Sequence, residues 1–467
     1  MKYQSTRGEA PVLEFSDVLL AGLAVDGGLY VPVEFPTLAS TDLYSLAEMS
    51  YSEVATRVLE PFVSPSIEVD ELGNMIEDSY STFRHPDVVP VKQLPAEIGN
   101  DRYLAELYWG PTFSFKDVAL QLLGRLFEYE LARRDTGVTI VGATSGDTGS
   151  AAIEACKDRS GIELVMLHPR GRVSEVQRRQ MTTVASPNIH NVAIDGTFDD
   201  CQDLVKAMFS DLQFRERHKL AAVNSINWAR VAAQTVYYFT TATRIAGPNQ
   251  PISFCVPTGN FGNILAGHIA SRMGLPIKRL IIASNHNDIL TRTHSSGVMQ
   301  IRDVEPSTSP AMDIQVSSNF ERLLFDLSDK DSVWLAAAMR DFRSSGSMTL
   351  GKSVAKRIRD LFDADRASEA EVEQEISSLY STQEEFLDPH TAVGVHVIRG
   401  MKLLDGPAAV MATAHPAKFN SVVEAATGVA PPQPAEISGL MRQTERCVDL
   451  PNELSAVMEF VSAASTS

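Results

Sequence analysis

Between residues 139 and 283, short apolar runs alternate with segments of helical periodicity, and this alternation restricts the fold more than any other feature of the chain. Strands are expected at 139–143, 164–167, 192–194, 221–223, 252–257 and 280–283. Helices are expected through Ala155, over 174–183, 198–214 and 228–245, and up to Met273. A strand that feeds a helix and then another strand builds a parallel sheet with helices on both faces. The fold class is therefore α/β, and 467 residues leave room for two such parallel-sheet domains, preceded by an N-terminal α+β segment.

The flanks read differently. Residues 1–95 contain two amphipathic stretches, 41–59 and 67–83, and the turn Asp26-Gly27-Gly28 before a short strand, Leu29-Tyr30-Val31. No catalytic spacing occurs there. Residues 295–318 are turn-rich, with Pro306 and Pro310, which reads as a loop that is mobile or faces a substrate. Residues 363–385 are acidic and helical, a solvated face. A late strand at 408–412 precedes a proline-rich linker from Pro431 to Pro434 and a final helix at 453–463.

Charge and cysteine usage narrow the partners. A formal charge of −18 argues against nucleic acid or an anionic membrane, and any anionic substrate must be held by basic groups gathered locally. Cys156, Cys201, Cys255 and Cys447 are widely spaced without a C-x-x-C pair, the pattern of reduced thiols rather than of a disulfide framework or zinc site. Met1 to Gly8 lacks the apolar stretch of a signal peptide and no run reaches bilayer length, so the expected location is cytoplasmic. The ten histidines show no metal-ligand spacing, and no metal is expected.

Four stretches carry residues suited to chemistry. In Tyr108-Trp109-Gly110-Pro111-Thr112-Phe113-Ser114-Phe115-Lys116-Asp117, Lys116 stands where a loop enters a helix, between an aromatic ring and a carboxylate. Such surroundings desolvate an ammonium and make its nucleophilic form accessible, as Schiff-base chemistry requires, although a lone Phe-Lys-Asp is more often a surface lysine. Residues Gly142 to Gly149 form a small-residue loop before a helix, a place for an anion such as a carboxylate, but neither a Walker A loop nor a dinucleotide fingerprint. Gly259-Asn260-Phe261-Gly262-Asn263 is more specific: two glycines allow close backbone approach and two asparagines add donors, which suits a phosphate monoester held without metal. In Asn224-Ser225-Ile226-Asn227-Trp228-Ala229-Arg230, Asn224, Asn227 and Arg230 recur at three-residue steps, and Asn227 and Arg230 share a face if the first turn is helical. His415 precedes a proline and reads as a turn residue rather than a base.

These stretches, followed by Thr413-Ala414-His415-Pro416-Ala417-Lys418, occur in the order expected of the threonine synthases, and the chain resembles the longer bacterial and fungal branch of that family. Tyr3-Gln4-Ser5-Thr6-Arg7 and Asp26-Gly27-Gly28-Leu29-Tyr30-Val31-Pro32 share the likeness, which runs from residue 3 to about residue 428. The resemblance implies a pyridoxal 5'-phosphate enzyme with the fold of the tryptophan synthase β-subunit. It implies that Lys116 carries the cofactor as a Schiff base and acts as the base, that Gly259, Asn260, Phe261, Gly262 and Asn263 bind its phosphate, and that Thr413 meets its ring nitrogen. It further implies that Thr144, Ser145, Gly146, Asp147 and Thr148 take the substrate carboxylate and that Asn224 and Arg230 take the substrate phosphate. The shorter branch carries Asn where this chain has Asp147, and a carboxylate cannot donate as an amide does. The implied reaction turns O-phospho-L-homoserine and water into L-threonine and phosphate.

The expected division is 1–95, an N-terminal segment; 96–130 with 246–430, a larger cofactor-binding domain; 131–245, a smaller α/β domain; and 431–467, a linker and helix. The expected assembly is a monomer or homodimer. Two rivals remain: another lyase of the same fold, such as a serine/threonine dehydratase or a cysteine-forming β-replacement enzyme, and a non-catalytic homologue that binds a phosphorylated amino acid.

Overall fold

In the computed structural model, which describes residues 1–465, the apolar runs become the inner strands of two sheets. The larger sheet runs in the order Phe362–Arg366, Ile277–Ser284, Ile252–Pro257, Ala408–Ala412, Arg102–Glu106 and Val91–Gln93, and only the last pairs antiparallel. The smaller runs Val448–Leu450, Ile189–Ile194, Ile162–Pro169, Val138–Ala143 and Leu220–Ala221, parallel throughout. Their central strands are apolar on both faces because both faces are covered. Phe254 and Val256 enter a core that also contains Leu164 and Met166 of the other sheet. The alternate residues Cys255 and Val165 enter two separate outer cores. Successive side chains of a strand point to opposite faces, so each sheet has one face on the common core and one on its own.

The helix Trp228–Ile245 runs through the common core and is buried on nearly all sides. It packs on the helices Tyr51–Val63, Lys116–Arg133 and Gly262–Arg272, so a boundary at 245 cuts through packed structure. Asn227 caps it: the side-chain oxygen accepts from the Ala229 N–H at 3.0 Å, and the amide donates to the Leu19 carbonyl at 2.9 Å. An antiparallel sheet of Leu13–Glu14, Lys2–Ser5 and Tyr30–Pro32 closes the N-terminal segment. Thr6 and Arg7 fasten it to Glu321 through hydrogen bonds of 2.7 to 3.1 Å.

Two stretches differ from their reading in sequence. The chain after Pro431 is more than a linker and helix: Val448–Leu450 becomes an edge strand of the smaller sheet, and the helix Leu454–Ala464 buries Val457 and Val461 in that sheet's outer core. Three residues are too short for a periodicity to show. The acidic 363–385 stretch begins with an edge strand, Phe362–Arg366, whose charges suit an unpaired border, before the expected helix at Glu369–Gln383. Among the described residues no helix is long and apolar enough to cross a membrane, and no cluster of three or more His, Cys, Asp or Glu side chains is placed to hold a metal ion.

Candidate active site

The segments that follow the carboxyl ends of three strands, Val138–Ala143, Ile252–Pro257 and Ala408–Ala412, converge on one cavity of about 90 Å³, the usual position for a ligand in an open parallel sheet. Lys116, Asp147, Thr148, Arg230, the run Thr258 to Asn263, and Thr413 all line it. The turn-rich region enters through Ala311 and Met312, both within the short turn Pro310–Met312. That loop is pinned by Asn285, whose amide donates to Ser307, Ser309 and Asp313.

Lys116 opens the helix Lys116–Arg133 and is buried. Its Nζ stands 4.8 Å from the Phe115 ring centroid and 3.5 Å from Asp147 Oδ2. Burial lowers the ammonium's pKa, and the positive charges of Lys418 and Arg230 add to this, while Asp147 opposes it. Behind it, Asp117 accepts from the N–H and hydroxyl of Thr112, both at 2.7 Å, yet burial raises its pKa to about 6.

The 259–263 loop is built to leave donors open. Phe261 adopts a left-handed backbone, φ 63°, an uncommon and strained conformation for a bulky residue. The helix begins at Gly262, and its first bond is from Leu265 N–H to the Phe261 carbonyl, leaving the amides of 262–264 without intrahelical acceptors. Asn263 has its oxygen filled by the hydroxyls of Tyr237 and Tyr238, each at 2.8 Å, while its buried Nδ2 has no partner among the described residues. At Gly259 a Cβ would lie 2.7 Å from the Ala311 carbonyl oxygen. Open amides at a helix N-terminus, an orphan side-chain donor and a backbone that admits no side chain fit a phosphate group.

Arg230 is buried, and neither its Nε nor its Nη1 has a partner among the described residues. With no carboxylate to compensate it, burial lowers the guanidinium to about 10. A charged group held this way is costly unless an anion arrives from outside the chain. Of its sequence companions, Asn227 is spent on capping, and Asn224 Oδ1 accepts from the Ile226 N–H at 3.2 Å in a local turn. Ser225 and Gln234 line the cavity in their place. Gln234, one helical turn after Arg230, was findable from its spacing.

The 144–148 loop is largely self-satisfied. The Thr144 hydroxyl accepts from the amides of Gly146 and Gly149 at 3.0 and 2.9 Å, Ser145 is exposed, and only Asp147 and Thr148 face the cavity. Asp147 Oδ1 accepts from Lys418 Nζ at 2.7 Å and from Gln177 Nε2 at 2.8 Å. Burial alone would raise the Asp147 pKa, but Lys418 and Lys116 override it and hold the group well below the ordinary carboxylate range. Sequence reasoning gave neither Lys418 nor Gln177 a role. His415 is a turn residue as expected: its Nδ1 accepts from the Ala417 N–H at 3.1 Å, and burial lowers the ring to about 4.

A larger cavity, about 480 Å³, lies behind Thr112 and Gln180. Of its charged groups, Glu154 pairs with Lys157 at 2.6 Å, Glu436 pairs with Arg84 at 2.8 Å and Asp158 accepts from the Ser186 hydroxyl at 2.7 Å, and its lysine, Lys157, is not buried as Lys116 is. The smaller cavity is the chemical one.

Comparison with known proteins agrees with this geometry. Residues 85–342 match the family of pyridoxal-phosphate dependent enzymes, flanked by matches to the threonine synthase N terminus at 2–80 and the threonine synthase C-terminal region at 391–461. The last of these reaches past residue 428, into the segment that completes the smaller sheet. The threonine synthase of Pseudomonas aeruginosa is 49% identical over 99% of this chain and 98% of its own length. A crystal structure of PLP-bound threonine synthase from Brucella melitensis superposes with a TM-score of 0.96 at 50% identity, covering 100% of both chains. Yeast threonine synthase gives 0.93 at 36% identity, covering 100% of this chain and 99% of its own. The fold and these matches thus define a lyase that uses pyridoxal 5'-phosphate, and the open donors at 259–263 fit that cofactor's phosphate. Within that class the chain belongs to the threonine synthase family.

Proposed function

We propose that the substrate is O-phospho-L-homoserine, converted with water to L-threonine and phosphate, and that Lys116 is the amine that carries the cofactor and moves protons. One observation carries this reading: the cavity that holds Lys116 also holds a buried guanidinium, Arg230, that pairs with no carboxylate among the described residues. Pyridoxal phosphate, when bound, supplies an aldehyde that captures amino groups and a conjugated ring that spreads charge from the adjoining carbon. The amides of 262–264 and Asn263 would hold its phosphate, Lys116 its aldehyde end, and Thr413 its ring nitrogen. A neutral hydroxyl at that nitrogen weakens the ring as an electron sink and favours elimination and replacement over transamination.

Arg230, with Gln234 beside it, binds the substrate phosphate and balances the charge that grows as the Cγ–O bond breaks. Lys116 Nζ, with its pKa lowered by burial, takes the proton from Cα as a neutral amine; loss of a Cβ proton then expels phosphate from Cγ, a proton returns to Cγ, and water adds its hydroxyl at Cβ as a proton returns to Cα. Thr148 and the backbone at the start of the helix Asp147–Cys156 bind the substrate carboxylate, because the Thr144 hydroxyl is occupied within the loop and Asp147 is ionised. Three buried thiols and no disulfide support a cytoplasmic location, with the protein a monomer or homodimer.

Purified enzyme incubated with O-phospho-L-homoserine should release threonine and phosphate in equal amounts, and Lys116→Ala should release neither. Release of 2-oxobutyrate in place of threonine moves the chain to the dehydratases, whose substrates leave Arg230 without an anion.

A further inference from the structure

Asp147 lies between two lysines and treats them unequally. Oδ1 is committed, at 2.7 Å to Lys418 and 2.8 Å to Gln177, whereas Oδ2 stands 3.5 Å from Lys116. The Lys418 side chain is fully buried, and its other bond, also 2.7 Å, goes to the Thr112 carbonyl. Thr112 is the residue whose N–H and hydroxyl hold Asp117, next to Lys116. One ammonium therefore ties the loop that carries the cavity amine to the helix end that carries the cavity carboxylate.

We propose that Lys418 is a positioning residue for Lys116: it occupies the charge of Asp147 and holds Thr112, so that the carboxylate does not close onto the reactive amine. The other charged groups around Lys116 are Arg230, from the helix Trp228–Ile245, and Asp117, on its own helix. His390 also lines the cavity, with its Nδ1 engaged with Asp388 Oδ1 at 3.0 Å and its Nε2 accepting from the Ala311 N–H at 3.3 Å. None of these replaces Lys418 as a counter-charge for Asp147. Without Lys418 a repelling charge disappears and an attracting one is released, and both changes favour the protonated nitrogen at Lys116.

The inference rests on Lys116 being the cofactor amine, which Lys116→Ala tests separately by loss of the cofactor's visible absorption. The decisive experiment is a pH titration of that absorption in the holoenzyme, alongside the acid limb of kcat/KM. In Lys418→Met both midpoints should rise by roughly one pH unit or more, while Lys418→Arg should stay near wild type. The pair Asp147→Asn with Lys418→Met removes both charges and should titrate no higher than wild type, which keeps the test open if Lys418→Met alone folds poorly. Unchanged midpoints in Lys418→Met, or raised midpoints in the pair, overturn the proposal while leaving the cofactor assignment standing. Visible absorption that persists in Lys116→Ala overturns the assignment itself.

Discussion

The loops at 144–149 and 259–263 are the same local device: a strand, a glycine turn and the N-terminus of a helix. The chain treats them in opposite ways. At the first, the Thr144 hydroxyl takes two amides and Asp147 places a negative charge at the helix start, paired in turn with Lys418 and Gln177. At the second, the amides of 262–264 lack intrahelical acceptors, and among the described residues neither Asn263 Nδ2 nor the Nε and Nη1 of nearby Arg230 has a partner. A helix N-terminus is positive in either place. Whether it is left open to a phosphate is decided by what the rest of the chain has already put there.

The sharpest way to break this comparison is to injure both loops alike. Gly259→Ala drives a methyl to 2.7 Å from a backbone oxygen and should strip the enzyme of cofactor, read as visible absorption per protein chain. Gly146→Ala meets the Gln177 side chain at 2.4 Å, at a φ of 152° that alanine tolerates poorly. It should lower thermal stability while retaining most of the cofactor. Loss of cofactor to the same degree in both variants removes the distinction.

Next in size is Arg230→Met. Loss of a charge-assisted contact of about 2 kcal/mol or more should raise KM for the phosphorylated substrate by roughly 30-fold or greater. The same change removes an uncompensated buried charge, so the variant's melting temperature should rise. Inorganic phosphate should stabilise wild type and not the variant. A fall in melting temperature would mean that Arg230 has a partner within the fold.

Much of this was legible in the sequence, for reasons that also set the limit. The strand–turn–helix units around residues 147 and 262 show because their apolar runs and glycines are contiguous, and Lys116 shows in part because Phe115, its neighbour in sequence, also stands beside its amine; the carboxylate that faces the amine, Asp147, comes from elsewhere in the chain. Asn227 shares the three-residue spacing with Arg230, but it caps the helix. An asparagine immediately before a helix is more often its cap, and the sequence carried that signal. Lys418 could not be read, because its meaning depends on the fold bringing residue 418 to residue 147. Val448–Leu450 could not be read either, since an edge strand of three residues takes its identity from the strand it joins.

A smaller effect belongs to the self-satisfied loop. Thr144→Val keeps the shape of the side chain but removes the acceptor of two amides, which should cost about 1–3 kcal/mol of stability. Urea unfolding should show it, with the cofactor's absorption spectrum unchanged.

The smallest effect probes the ground between the loops, where two buried carboxylates flank Lys116 and titrate in opposite directions. Asp147 is held ionised by lysines, whereas burial raises Asp117 from the ordinary 3.8 to about 6. A carboxyl whose pKa is higher folded than unfolded binds more protons in the native state, so its contribution to stability is fully present below the unfolded value and fades as pH rises through 6. Between about pH 5 and about pH 6.5 this group alone should withdraw about 1 kcal/mol. Urea midpoints at the two pH values should therefore differ less in Asp117→Asn than in wild type, while Asp147→Asn should leave the difference in that window intact. An equal slope in wild type and Asp117→Asn would mean that Asp117 is already ionised at pH 5, and that the ground behind Lys116 is as well supplied with donors as the helix end at Asp147.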